Sequence, residues 1–534
     1  MSTLAEYSSN HPRPANVTFA YGTAGFRMKA DVLDSTVFRA GLLAALRSQF
    51  LKGQVMGVMV TASHNPPEDN GVKLVDPQGE MLDSAWEPYA TELANAQSDE
   101  ELEQYIASLV REHEIDTSAT PAHVIYARDS RESGPRLVGA LQDALAYMQA
   151  KSTDYGVLTT PQLHYLVRCL NTLKSPNSYG VPTEEGYYKK LAIAYKKLLA
   201  ASQPEQAYKI TIDAANGVGG PKVGELAKLL QGLVDITVVN DACDRPELLN
   251  SSCGADFVKT QQRAPAGVGP RPGELYASFD GDADRIVFFY LDPESEQFRL
   301  LDGDKIASLV ASFIGELVAQ TGTQLRIGVV QTAYANGSST EYIVNSLKLP
   351  VECTPTGVKH LHHAAQKYDV GVYFEANGHG TVLFDPVAIA QLQAFQVTSP
   401  AQKSAIDALL ALSDLINQTV GDALSDLLLV LAVLSLKQWT PSDWDQCYTD
   451  LPNRLAKVEV SDRSLFQTTD AERKLVAPKD LQPKIDDLVK KYKQARSFVR
   501  ASGTENVVRV YAEASTKSEA EDLAYKVSQL ASVY

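Results

Sequence analysis

No segment of this chain is apolar for long enough to cross a bilayer; the densest run, Leu427 to Leu436, reaches about half the required length and reads as a core helix. Basic residues are in deficit, since 49 Lys and Arg against 65 Asp and Glu leave a formal charge of −16. Nucleic acid and anionic membrane need a dense basic surface, so neither is expected as a partner. A phosphate ligand would have to be held by a few local cations. Cysteine is sparse as well: Cys169, Cys243, Cys253, Cys353 and Cys447 are odd in number and lack paired metal spacing, which fits a reducing cytoplasm. The first residues, among them His11, Pro12, Arg13 and Pro14, hold no apolar stretch of signal-peptide length, so no secretory or membrane targeting is expected. No Walker A sequence occurs, and Gly217-Val218-Gly219-Gly220 is not a dinucleotide fingerprint because Lys222 stands at the third glycine position.

The 534 residues exceed what one hydrophobic core supports, so three or four domains are expected. Several segments repeat one pattern: a short β-branched run, a Gly- or Asp-rich loop, then a helical period. One such unit runs from a strand at Tyr208–Ile212 through a helix with Pro221 at its first position to a strand at Val234–Val239. Another opens a helix at Asp302-Gly303-Asp304 and continues through strands near 326–330 and 370–374, with a helix over 339–347. Strands alternating with helices predict mainly parallel sheets covered on both faces. Residues 403–437 read as helical, Thr440-Pro441-Ser442-Asp443 as a linker, and the last segment as a separate α+β domain.

Four loops carry candidate chemistry. The run Val55 to Val60 reads as a buried strand delivering Thr61-Ala62-Ser63-His64-Asn65-Pro66 to its C-terminal end, where open α/β sheets place ligands. Ser63 is therefore a candidate reacting hydroxyl, with an ordinary hydrogen-bonded turn as the rival reading. It lacks the Gly-x-Ser-x-Gly elbow of hydrolases, because Thr61 and Asn65 occupy the glycine positions. Asp280-Gly281-Asp282-Ala283-Asp284-Arg285 offers three carboxylates at alternate positions, able to converge on one hard divalent cation such as Mg²⁺. A calcium EF-hand would need Gly and Glu where Arg285 and Leu291 stand; a solvated acidic turn is the remaining alternative. Arg500-Ala501-Ser502-Gly503-Thr504-Glu505-Asn506, followed by Arg509, brings hydroxyls, a glycine and guanidinium forks suited to a phosphate, against an ordinary hairpin connection. Glu375-Ala376-Asn377-Gly378-His379-Gly380 supplies a carboxylate, an amide and an imidazole that could orient sugar hydroxyls, against a polar strand exit.

In chain order, Gly22-Thr23-Ala24-Gly25-Phe26-Arg27 and these four loops resemble the α-D-phosphohexomutase superfamily over nearly the whole chain. The wording Glu-Ala-Asn-Gly-His-Gly, where other branches carry a Gly-Glu-x-Ser type of sugar loop, resembles the branch acting on N-acetylglucosamine phosphates. The resemblance implies an α/β fold: three tandem α/β phosphohexomutase domains plus a C-terminal α+β domain resembling the TATA-box-binding protein, arranged around one cleft. The expected boundaries are 1–183 with the phosphoserine loop, 184–300 with the metal loop, 301–438 with the sugar loop and 439–534 with the phosphate loop.

The implied reaction interconverts N-acetylglucosamine 6-phosphate and 1-phosphate, in UDP-N-acetylglucosamine biosynthesis, through phosphorylated Ser63 and a sugar 1,6-bisphosphate. Asp280, Asp282 and Asp284 would bind Mg²⁺ together with the Ser63 phosphate. Glu375, Asn377 and His379 would hold the sugar, the last two beside its acetamido group. Arg500, Ser502, Gly503, Thr504 and Arg509 would hold the substrate phosphate, with Arg285 and Lys359 as further candidates. By the same resemblance Arg27 and Lys73 lie near the transferring group, and Lys73 is the better proton carrier because an arginine does not deprotonate in proteins. His64 is assigned a positioning role. Phosphoglucomutase or phosphomannomutase activity, or non-catalytic sugar-phosphate binding, are the alternatives. Small sugar phosphates are the only partners expected, with no obligate protein partner.

Overall fold

The computed structural model describes residues 3–22, 24–200, 207–502 and 507–534. The chain forms two compact units, one of residues up to 302 together with 407–438, the other of 303–406 together with 439–534.

The first unit holds two five-stranded sheets. Strands β1 (Phe26–Lys29), β2 (Val55–Val60), β3 (Asp69–Val75), β4 (His123–Arg128) and β5 (Lys151–Val157) lie in the order β1-β3-β2-β4-β5. All six residues of β2 are buried, so a run of Val and Met interrupted only by Gly57 suits the position. Helix Asp34–Phe50 packs on β2 from one direction and Thr160–Thr172 also covers it. The second sheet, β6 (Tyr208–Asp213), β7 (Val234–Val239), β8 (Tyr276–Phe279), β9 (Ile286–Leu291) and β10 (Phe298–Leu301), runs β10-β9-β8-β6-β7.

The second unit carries β11 (Ile327–Thr332), β12 (Val351–Thr354), β13 (Val370–Phe374) and β14 (Gly380–Phe384) in the order β12-β11-β13-β14. It also carries a three-stranded antiparallel sheet of β15 (Asn453–Glu459), β18 (Arg496–Ala501) and β19 (Val507–Glu513), and a hairpin of β16 (Gln467–Thr469) and β17 (Lys474–Ala477). Helices Leu481–Val489 and Lys517–Ala531 bury Leu481, Ile485, Leu523 and Val527 in the same core as Val499, Val508 and Val510.

Several expectations are corrected. The first three sheets mix both directions, only the third staying mainly parallel: β2 pairs parallel to β4 but antiparallel to β3, and β8 to β9 and β13 to β14 are also antiparallel. Each of these antiparallel pairs is joined by a loop too short for a crossover helix, which leaves the hairpin as the available connection. Those hairpin loops are the motif loops themselves. Thr440 to Asp443 is not a linker but the capped start of helix Pro441–Asp445, with Thr440 and Asp443 forming a reciprocal capping box. Pro221 is the third residue of helix Gly219–Leu229, not its first. The helical stretch expected over 403–437 is two helices, Pro400–Leu415 and Ala423–Lys437, separated by a loop in which Asn417 and Asp422 bond to each other and to Thr419, Leu424 and Ser425. The hairpin β16–β17 was not expected.

Asp426, in the first turn of helix Ala423–Lys437, is 1% exposed and neither carboxylate oxygen has a hydrogen-bond partner among the described residues. Burial, and then the charge of Asp422, holds its carboxyl well above the usual carboxylate range. The folded chain therefore keeps a proton that the unfolded chain releases, so this group costs stability as pH rises above the ordinary carboxylate value. Asp426→Leu should raise the melting temperature at pH 8, with a smaller gain at pH 5; thermal melts at the two values check the sign.

Candidate functional site

The loop after β2 holds Ser63 in the left-handed region, φ +52°, an unfavourable conformation for a residue with a Cβ, costing about 1 kcal/mol or more. The turn is stabilised from within, because the Ser63 amide donates to Thr61 Oγ1 at 3.0 Å and the Asn65 amide to the Ala62 carbonyl. Ser63 is fully buried and its hydroxyl donates to Asp280 Oδ2 at 2.6 Å. The first motif loop and the aspartate loop thus meet within one unit.

The aspartate loop connects β8 to β9. Ala283 takes φ +55°, and the Asp280 carboxylate folds back to accept the amides of Asp284 and Arg285 through Oδ1. Ligand oxygens of Asp280, Asp282 and Asp284 lie within 4.8 Å of one another, all buried. Burial, and then the charges of Asp284 and Asp282, hold the Asp280 carboxyl well above its ordinary range. Positive groups surround the set: Lys73 Nζ is 3.3 Å from both Asp282 and Asp284, and Arg285 Nε 3.7 Å from Asp280 and 3.8 Å from Asp284. Asp282 Oδ1 is buried with no hydrogen-bond partner among the described residues. An all-oxygen, densely negative donor set with an unsatisfied buried oxygen fits Mg²⁺.

Neighbouring backbone locks this loop. The Val218 amide donates to the Gly281 carbonyl, the Ala423 amide to that of Ala283, and Thr160 gives its amide to the Asp282 carbonyl and its hydroxyl to Asp282 Oδ2 at 2.5 Å. Gly217 explains the glycine run that binds no dinucleotide: a Cβ there would stand 2.4 Å from the Gly281 carbonyl oxygen. Thr160 opens helix Thr160–Thr172, so that helix's positive end faces an aspartate.

Arg27, on β1, reaches Asn65 Oδ1 at 3.5 Å, and its Nε has no partner among the described residues. Burial, and then Arg285, push its guanidinium below the ordinary value while the three aspartates oppose the shift. His64 does not bond Ser63. Its Nδ1 is buried without a partner among the described residues, and burial, followed by Arg285 and Arg27, pushes the imidazole down to about 2. A ring so reluctant to take a proton is a poor general base, in keeping with a positioning role.

The second unit holds the other two loops. Between β13 and β14, the Glu375 amide donates to the His379 carbonyl at 2.8 Å, Gly378 takes φ +86°, and Asn377 Oδ1 accepts the His379 amide at 2.9 Å. Asn377 Nδ2 lies 3.4 Å from Glu375 Oε2. Arg500, the last residue but one of β18, lies directly opposite Arg509 on β19, so both side chains leave the same face of the sheet. Ser502 follows, its amide on the Val507 carbonyl and its own carbonyl accepting Arg463 Nη1. Gly503 and Thr504, assigned to the phosphate loop, lie outside the described residues. Lys359 sits in the first turn of helix Val358–Ala365.

Sequence reasoning missed the supports of both loops. Arg500 Nε donates to Tyr334 Oη at 2.9 Å and Nη1 to Glu472 Oε1 at 3.2 Å. The other oxygen of Glu472 accepts the amide and hydroxyl of Thr356, in the turn leading to Lys359. Glu472 sits at the tip of the unexpected hairpin, where Asp470, Ala471 and Glu472 all take positive φ. In the first unit the missed residues are Asp129, Arg131, Thr160 and Asn250. Three of them left a signal: Asp129 and Arg131 in Asp-Ser-Arg directly after β4, and Thr160 in Thr159-Thr160-Pro161-Gln162, a capping box starting a helix.

Two profiles described as phosphoacetylglucosamine mutase AMG1, domains II and III, match residues 177–287 and 302–439. Profiles of phosphoglucomutase/phosphomannomutase α/β/α domain I and C-terminal domain match 42–101 and 455–530. The phosphoacetylglucosamine mutase of Candida albicans is 54% identical over 99% of this chain and 99% of its own length. Among solved structures, N-acetylphosphoglucosamine mutase of Aspergillus fumigatus in complex with GlcNAc-6P and magnesium superposes with a TM-score of 0.94, at 55% identity over 99% of both chains. A second structure of that fungal enzyme, with glucose 1,6-bisphosphate, gives a TM-score of 0.94 at 55% identity over 98% of this chain and 97% of the other. The chain belongs to the phosphoacetylglucosamine mutase family of the α-D-phosphohexomutase superfamily.

Proposed function

We propose that this chain is the isomerase that interconverts N-acetylglucosamine 6-phosphate and N-acetylglucosamine 1-phosphate, with Ser63 as the phosphate carrier. The observation that carries the reading is the Ser63 hydroxyl bonded at 2.6 Å to the first of three clustered aspartates. A serine beside three clustered carboxylates able to hold a divalent cation suits phosphoryl transfer, whose charge that cation would offset. Bound Mg²⁺ would supply charge neutralisation on the phosphoryl oxygens, with Asp280, Asp282 and Asp284 holding it; the similar fungal enzyme was solved with magnesium.

The chain's own residues account for the rest. Phosphorylated Ser63 gives its phosphoryl group to the free hydroxyl of the sugar phosphate, leaving a 1,6-bisphosphate and bare Ser63. The bisphosphate then turns and its other phosphate returns to Ser63, giving the isomeric product. In each half-reaction Arg500, Arg509 and Ser502 hold the phosphate that is not reacting, so one cradle serves both orientations. Glu375 accepts hydrogen bonds from sugar hydroxyls, while Asn377 and His379 contact the acetamido group. Lys73 carries the proton of the reacting hydroxyl, and Arg27 and Arg285 draw charge from the transferring group.

We divide the working enzyme at 1–183, 184–300, 301–438 and 439–534, one motif loop to each part, and assign it to UDP-N-acetylglucosamine synthesis in the cytoplasm. The five cysteines are all free thiols, and among the described residues no helix is long and apolar enough to cross a membrane.

Ser63→Ala should lower turnover of N-acetylglucosamine 6-phosphate by about 10,000-fold or more, read by ³¹P NMR in the presence of Mg²⁺ and bisphosphate. Undiminished conversion would overturn the carrier assignment. Asp282→Asn should raise the Mg²⁺ concentration for half-maximal activity at least ~10-fold, checked by metal titration after chelation. Asn377→Ala should cost ~10-fold in kcat/KM on N-acetylglucosamine 6-phosphate and distinctly less on glucose 6-phosphate, and equal losses on both would remove Asn377 from acetamido recognition.

A further inference from the structure

The backbone of the Ser63 loop is held from behind by one arginine. Arg131 is 0% exposed, and its five N–H donors meet five acceptors. Nε donates to Asp129 Oδ2 at 3.0 Å; Nη1 donates to the carbonyls of Pro66 and Asp69 at 2.5 and 2.8 Å; Nη2 donates to those of Ser63 and Asn65 at 3.0 and 2.9 Å. Three of the five bonds thus gather carbonyls of the irregular loop after β2, and a fourth takes that of Asp69, where the loop enters β3. Asn250 Nδ2 reaches two of the same oxygens, Ser63 at 2.9 Å and Asn65 at 3.1 Å. Asp129 closes the circuit: the oxygen that orients Arg131 also accepts the Thr61 hydroxyl at 2.7 Å, and Thr61 Oγ1 accepts the Ser63 amide. Ser63 is therefore held through both its amide and its carbonyl, in a left-handed conformation that a released loop would leave. Gly281 completes the packing, since a Cβ there would stand 2.6 Å from the same Ser63 carbonyl oxygen.

We propose that Arg131, oriented by Asp129 and assisted by Asn250, is the positioning residue that keeps the Ser63 side chain aimed at the aspartate loop during phosphoryl transfer. This inference rests on the reading of Ser63 as the phosphate carrier. None of the three residues touches the transferring group; they act through the loop backbone. A lysine keeps the charge but not the planar fork, so it cannot gather four carbonyls while pairing with Asp129.

The test compares Arg131→Lys and Asn250→Ala with wild type in the full-length enzyme with Mg²⁺. It measures kcat and KM for N-acetylglucosamine 6-phosphate, the rate at which glucose 1,6-bisphosphate phosphorylates Ser63 by intact mass, and the melting temperature. Arg131→Lys should lower kcat ~100-fold and Asn250→Ala ~10-fold, with KM changed less than ~3-fold and Ser63 phosphorylation slowed in parallel. A role confined to folding would lower the melting temperature while leaving kcat and phosphorylation of the folded enzyme at wild-type rates, and that result overturns the proposal. If Arg131→Lys does not fold, Asn250→Ala decides alone, and turnover within twofold of wild type counts against it. The two readings fail separately: an active Ser63→Ala enzyme removes the carrier, whereas an inactive Ser63→Ala beside fully active Asn250→Ala and Arg131→Lys removes only the positioning role.

Discussion

Three carboxylates buried within 4.8 Å of one another are the constraint on which the first unit depends. At an effective dielectric of ~20, two like charges at such a distance repel by about 4 kcal/mol, a large fraction of a domain's net stability. The chain meets this cost in three ways. Lys73 and Arg285 set positive charge against the group; backbone amides of Asp284 and Arg285 and the Thr160 hydroxyl give the oxygens donors; and Ser63 supplies one more. Burial, and then the charges of Asp284 and Asp282, still hold the Asp280 carboxyl above its ordinary range.

That cluster dictates local backbone on both sides. Ser63 and Ala283 both occupy left-handed conformations, and hydrogen bonds fix both: Thr61 from within the one loop with Arg131 and Asn250 from afar, and Val218, Thr160 and Ala423 on the other. A buried helix, Ala423–Lys437, thus has a second use, because its first amide holds the aspartate loop. The mixed sheets follow the same logic. A hairpin connection, β2 to β3 or β8 to β9, returns the chain at once and leaves its loop beyond the strand ends, where neighbouring elements grip it.

The second unit solves a different problem, that of aiming long cations without a buried charge cluster. Arg500 is braced by a phenol and a carboxylate, and that carboxylate is itself held by Thr356, so the arginine fork and the turn before Lys359 share one support. The Glu375 loop is stiffened by its own backbone, with Asn377 capping the His379 amide. Held side chains lose less entropy on meeting ligand, which favours recognition by a few groups in a protein with an acidic surplus.

The sequence by itself picked out the candidate chemistry: the serine, the alternate aspartates, the proposed sugar loop and the Arg500 to Arg509 span were legible because each is contiguous and bounded by strand-like runs. The helix and strand content was also legible, since periodicity and turn residues are local. Tertiary structure alone decided the rest. Strand direction depends on which neighbour a strand meets, so mixed sheets looked parallel; Thr440 to Asp443 looked like a linker because a capping box and a turn use the same residues. The roles of Asp129, Arg131, Asn250, Thr160 and Glu472 stayed hidden because each acts on a segment distant in sequence, with separations of 68, 68, 187, 122 and 116 residues in their hydrogen bonds. A contiguous motif names the atoms that react, while the atoms that hold them still are brought together only when the chain closes on itself.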